Sequence, residues 1–85
     1  MLVRLLYFAS VREGVGMAEE TRDVPPDVAT VDALVDWLRT TSAAHHAAFA
    51  DRTRLRAAVD GQFVPLDAEL GEPAEVALFP PVTGG

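Results

Sequence analysis

Only one amphipathic helix is written clearly into this chain of 85 residues, and that limits the fold more than any other feature. Val31, Leu34, Val35 and Leu38 follow the i, i+3, i+4, i+7 rule, which lays one apolar stripe along a helix. Thr30 stands where an N-cap hydroxyl belongs. Asp32 falls in the first turn, where a negative charge suits the helix dipole. Asp36 and Arg39 are spaced to pair at i, i+3, and Trp37 flanks the stripe. A lone striped helix must bury that stripe against another layer. The rest of the sequence has to supply that layer.

The other apolar segments are short and read as strands. Leu2 to Ala9 is rich in large apolar residues and too short to read as a helix. Glu19 to Val24 alternates with weak apolar content, as a solvated edge strand does. Leu55 to Val59 leads into Asp60-Gly61, a strong hairpin signal. Gln62 to Leu66 returns, with Pro65 marking an edge position. After a turn at Gly71-Glu72-Pro73, Glu75 to Phe79 is the final strand. Ser10 to Glu13 fits a short helical turn with Ser10 as N-cap, closed by Gly14 and Gly16. Ala43 to Ala50 is a second, shorter helical stretch anchored by Phe49. The pattern predicts an α+β, β-grasp (ubiquitin-like) fold: a mixed sheet packed on one main helix, with the first and last strands as its central pair. Their apolar composition predicts burial on both faces. The predicted domain spans residues 1–80, and residues 81–85 form an extended tail.

Composition removes several kinds of function. With no cysteine, thiolate metal sites, disulfides and a Cys nucleophile are excluded. Net charge is −6 and the basic residues are scattered, whereas nucleic-acid binding needs a basic stripe. No nucleic-acid partner is expected. An acidic domain favours a partner with a basic face. All basic residues are Arg and there is no Lys, so the chain cannot form a Schiff base or accept isopeptide bonds on its own side chains. The N-terminal apolar run is short, interrupted by Arg4 and without a basic leader, so no membrane partner is expected and a cytoplasmic location is.

The sequence closes on Pro80-Pro81-Val82-Thr83-Gly84-Gly85. The prolines fix φ and cannot extend a ladder, so the strand should stop near Phe79 and the tail should project. Five residues from Pro81 reach roughly 17 Å when extended, enough to enter a neighbour's pocket. Glycine at 84 and 85 leaves the terminal carbonyl open to approach on both faces. Other candidates read as structural. Neighbouring residues on a helix diverge by about 100°, so His45 and His46 read as a surface pair and no metal site is expected. Gly14-Val15-Gly16 is a turn and Ser10 a cap, while Asp32 and Asp36 form a solvated face. Of Tyr7 and Phe8, one should lie in the core and the other on the far face. Phe79, at the root of the tail, is placed to anchor a partner.

At these residues the chain resembles the small subunits of molybdopterin synthase, the MoaD type of sulfur carrier. The likeness runs through Leu5 to Glu13, Thr30 to Leu34, Ala57 to Asp60 and, most specifically, Glu75-Val76-Ala77-Leu78-Phe79-Pro80-Pro81-Val82-Thr83-Gly84-Gly85. Gly14 departs from the aliphatic residue common there. The resemblance implies a carrier that is no enzyme on its own. A MoeB-like adenylating enzyme would use ATP to activate the Gly85 carboxylate, and a sulfur donor would convert it to a thiocarboxylate. The chain itself would bind no cofactor. The tail (Pro81, Val82, Thr83, Gly84, Gly85) would enter a MoaE-like large subunit of a heterotetramer. That subunit would hold the catalytic pocket and the cyclic pyranopterin monophosphate that receives sulfur. Phe8, Phe79 and Pro80 are the contacts this likeness favours. Three alternatives stay open: a ThiS-like carrier for thiazole or cysteine synthesis, a ubiquitin-like protein modifier, and an interaction domain with an inert tail.

Overall fold

The computed structural model describes residues 1–81. Its elements are β1 (Leu2–Tyr7), α1 (Ala9–Val15), β2 (Glu19–Asp23), α2 (Val31–Arg39), α3 (Ala43–Ala48), a 3₁₀ turn (Arg52–Arg54), β3 (Arg56–Val59), β4 (Gln62–Val64) and β5 (Glu75–Phe79). The five strands form one mixed sheet in the order β2-β1-β5-β3-β4. β1 and β5 are the parallel pair at its centre, with Leu5 beside Val76 and Tyr7 beside Leu78. The other pairings are antiparallel. This is the α+β, β-grasp arrangement.

The core lies between one face of the sheet and α2. Val3, Leu5 and Tyr7 alternate inward along β1, Val76 and Leu78 along β5, and Val31, Leu34, Val35 and Leu38 form the buried stripe of α2. Each such side chain contributes about 1.5–3 kcal/mol by leaving water. Thr30 caps α2 as its sequence position predicts, its hydroxyl accepting from the Ala33 amide at 3.1 Å. At the β3–β4 hairpin, Asp60 (φ 48°) and Gly61 (φ 83°) both take left-handed backbone, the demand of a two-residue turn that matches strand twist. The Asp60 carboxylate accepts from the amides of Ala74 and Glu75, each at 3.0 Å, and so ties the hairpin to the start of β5.

Several expectations are corrected. The central strands are buried on one face only: β1 alternates, with Leu2 and Arg4 exposed, and nothing among the described residues covers the outer side of the sheet. Ser10 does not cap α1; Phe8 is the N-cap residue and has no side-chain cap bond. Gly14 lies inside α1, and Gly16 ends it at φ 89°. A Cβ on Gly14 would stand 3.0 Å from the Ala48 Cβ, so glycine there permits the close approach of α1 to α3. Asp36 and Arg39 do not pair. Arg52 bridges Asp32 and Asp36 instead, while Arg39 donates to the His46 carbonyl. β4 stops at Val64, before Pro65.

Candidate docking face and tail root

The uncovered side of the sheet is apolar where the strand registers meet. Leu6 pairs with Ala77, Ala77 with Ala58, and Ala58 with Phe63, so one continuous row of apolar side chains crosses four strands. Phe63 is 84% exposed and Phe8 49%, a heavy exposure for two large rings on a small domain. Phe79 packs its ring 5.6 Å from that of Phe63. Phe8, Ala58, Phe63, Ala77, Phe79 and Pro81 line a shallow concavity on this face. Tyr7 and Phe8 divide as strand alternation predicts: Tyr7 is in the core, Phe8 outside.

Phe8 is held outward by the backbone. Its amide donates to the Leu78 carbonyl at 3.3 Å, which fixes it beside β5. The next residue, Ala9, sits at φ 51°, a left-handed conformation that costs a residue with a Cβ about 1–2 kcal/mol. This bend stops β1 and starts α1. Phe79 ends β5, and Pro80 and Pro81 follow outside the ladder. Phe8, Phe79, Pro80 and Pro81 are thus brought to one end of the open face. The tail residues Val82, Thr83, Gly84 and Gly85 lie outside the described residues.

A second constellation was invisible in the sequence. His45 is buried rather than a surface residue, whereas His46 is exposed. The Ser42 hydroxyl and His45 Nδ1 are 2.6 Å apart, and His45 Nε2 lies 2.7 Å from a Glu20 oxygen. The Tyr7 hydroxyl donates to the same oxygen at 2.8 Å, and Arg22 donates to the other at 3.1 Å. Arg22 also lies over the Trp37 ring, 5.0 Å from its centroid. Burial pushes the Glu20 carboxyl upward, but hydrogen bonds from His45, Tyr7 and Arg22 outweigh it and hold the carboxyl below its ordinary range. The Tyr7 phenol is pushed well above its ordinary value, by burial first and by its bond to Glu20 second. Both His45 nitrogens are engaged, so a metal would have to displace a bond. The network joins β1, β2 and α3 behind Phe8. Ser42, as an N-cap accepting from the His45 amide at 3.0 Å, carried the one local signal. Glu20 and Tyr7 carried none.

The ThiS family model matches residues 5–85. The chain is 40% identical over 84 residues to the molybdopterin synthase sulfur carrier subunit of Escherichia coli (strain K12), covering 99% of this chain and 100% of that protein. Among solved structures it is similar to a putative molybdopterin converting factor, subunit 1, from Pyrococcus furiosus. There the TM-score is 0.72 at 30% identity, covering 96% of this chain and 99% of the other. It is similar also to the small archaeal modifier protein 1 of Haloferax volcanii, with TM-score 0.71 and 26% identity over 95% of this chain and 98% of the other. An apolar open sheet face ending at the Phe79-Pro80-Pro81 root, and full-length likeness to sulfur carriers, place the chain in one group: it belongs to the ThiS family.

Proposed function

We propose that this chain is the sulfur-carrier small subunit of a molybdopterin synthase, acting in the cytoplasm. The observation that carries the reading is the continuity of the open apolar face with the root of the Gly-Gly tail, in a chain whose relatives are such carriers. In this reading the domain docks through Phe8, Phe79 and Pro80. Pro81 to Gly85 then thread into the large subunit, which supplies the catalytic pocket.

The chemistry resides in Gly85. Its carboxylate attacks the α-phosphate of ATP on an adenylating enzyme, releasing pyrophosphate and forming an acyl-adenylate. The terminal sulfur of a donor persulfide attacks the acyl carbon and AMP leaves; a thiol then attacks the donor-side sulfur of the resulting acyl disulfide, releasing the Gly85 thiocarboxylate and leaving a disulfide on the donor side. This supplies a nucleophilic sulfur without a cysteine, and the sequence contains none. The sulfur then passes to cyclic pyranopterin monophosphate on the large subunit. Residues Gly84 and Gly85 have no Cβ, which suits passage through the narrow sites of two different enzymes.

Intact-mass measurement of the protein from cells holding the activating enzyme tests this. The expected result is replacement of one oxygen by sulfur, abolished when Gly85 is deleted. An unmodified mass in such cells overturns the reading. A second reading, attachment to other proteins as a modifier, draws on the likeness to the archaeal modifier protein. Its signature is Gly85-dependent covalent adducts in cell lysate.

A further inference from the structure

The net charge of −6 points to a basic partner, but the charge is not spread evenly. Of the seven basic side chains, Arg4, Arg22 and Arg52 are tied to carboxylates, and Arg39 is spent on His46. Arg12, Arg54 and Arg56 form no ion pair with a described carboxylate, and all three belong to the end of the sheet where β5 runs out. Arg12 lies one turn along α1 from Phe8. Arg54 closes the 3₁₀ turn and lines a hollow with Ser10, Gly14 and Asp51, beside the open face rather than on it. Arg56 opens β3 in register with Phe79. Acids lie near this end too: Asp32 and Asp36 are paired with Arg52, and Asp51, which accepts from the Thr53 amide at 3.1 Å and hydroxyl at 2.6 Å, shares a hollow with Arg54 and offsets part of its charge. The opposite end collects acids: Asp23 ends β2, Asp27 follows it, Asp60 forms the hairpin turn, and Glu72 and Glu75 lead into β5.

Arg56 shares the open face with the aromatic rings. It lines a groove with Phe63, Val64, Pro65, Phe79 and Pro81. Its Nη1 donates to the Leu55 carbonyl at 2.8 Å and, more weakly, to that of Thr53 at 3.4 Å. Its Nη2 has no partner among the described residues. A guanidinium held in place beside apolar rings, with donors left over, is well suited to a carboxylate. Arginine next to aromatic anchors is also a recurring composition of energetically dominant interface residues.

We propose that Arg56, flanked by Arg54 at the margin where the 3₁₀ turn meets β3, forms a charge-reading rim beside the docking face, and that the surface it fits has an apolar centre bordered by carboxylates. The inference rests on the sulfur-carrier reading for the identity of the partner, the synthase large subunit. It reverses the polarity that net charge alone predicts: the acidic end faces away, and the basic end leads the encounter. Rim charges act on association rate and its salt dependence more than on the final affinity.

The experiment is stopped-flow association of the full chain with the purified large subunit of the same synthase, at low and at near-physiological salt. The variants are Arg54→Glu/Arg56→Glu, Arg54→Gln/Arg56→Gln and, at the far end, Asp27→Arg. The charge reversal should slow association at low salt by about tenfold or more, with most of the difference lost as salt screens it. The Gln pair should show a smaller slowing and keeps the test sound if the reversal disturbs folding. Asp27→Arg should change the rate by less than about twofold, because its charge lies away from the docking end. Unchanged or faster association of both Arg double variants overturns the rim. A wild-type chain that fails to bind the large subunit at all overturns the carrier reading, and the rim with it.

Discussion

The two faces of the sheet are built from the same strands and many of the same residue types, yet they do opposite things. On the inner face Leu5, Val76 and Leu78 are fully enclosed beneath α2; on the outer face Leu6, Ala77, Ala58 and Phe63 form a row with no covering layer among the described residues. The inner face obtains its stability from within the chain. The outer face leaves its apolar surface uncovered by any described residue. The contrast between Tyr7 and Phe8 is the sharpest, because these neighbours in sequence fall on opposite sides of that division. It teaches that apolar composition assigns a residue to an interface of some kind, and the covering layer decides which kind.

The largest effect should come from the inner face. Leu78→Ala should destabilise the domain by about 2–5 kcal/mol through lost burial and a residual cavity, read as a fall in the midpoint of denaturant unfolding. A loss below about 1 kcal/mol would mean that the inner face is not close-packed. Phe63→Ala should do the reverse. Unfolding should move by no more than about 0.5 kcal/mol, while affinity for the large subunit, measured calorimetrically, should weaken by about 2 kcal/mol if Phe63 is an anchor. Equal affinity would remove Phe63 from the docking face.

The network behind Phe8 gives a pH test on the inner side. The folded Glu20 carboxyl titrates below its ordinary value of 4.5. Its ionised form therefore stabilises the fold above that value, and the contribution is lost as pH falls through the lower folded value. The stability difference between wild type and Glu20→Gln should be greatest near neutral pH and shrink below about 4.5. A pH-independent difference in parallel urea titrations would show that the charge is not what matters there. The smallest effect belongs to the junction of the two faces. Ala9→Gly should relieve the left-handed backbone at φ 51° and raise stability by up to about 1 kcal/mol, the entropy of the added glycine offsetting part of the gain.

Much of the fold was legible because its signals are local. The α2 stripe, the Thr30 cap and the Asp60-Gly61 turn each lie within a few residues, and the order of short apolar runs around one helix leads to a β-grasp sheet. The error over the central strands has a definite cause. Continuous apolar runs read as burial on both faces, and a run left open on one side carries the same composition. Phe8 and Phe79 could be singled out beside the tail, but Phe63 could not, because exposure at an edge strand is not written in an aromatic side chain. His45 read as a surface residue since its acceptor, Glu20, lies 25 residues away. Arg54 and Arg56 were hidden by a total charge that averages over both ends.

The position of β5 has a mechanical consequence. It lies between β1 and β3, so backbone hydrogen bonds hold it along both edges. Tension applied beyond Phe79 acts along the strand and loads both ladders in shear together. Asp60 also grips the amides at the start of the same strand. The end of β5 is thus bolted into the middle of the sheet, and a pull on it is resisted by both ladders at once rather than by one edge that could peel.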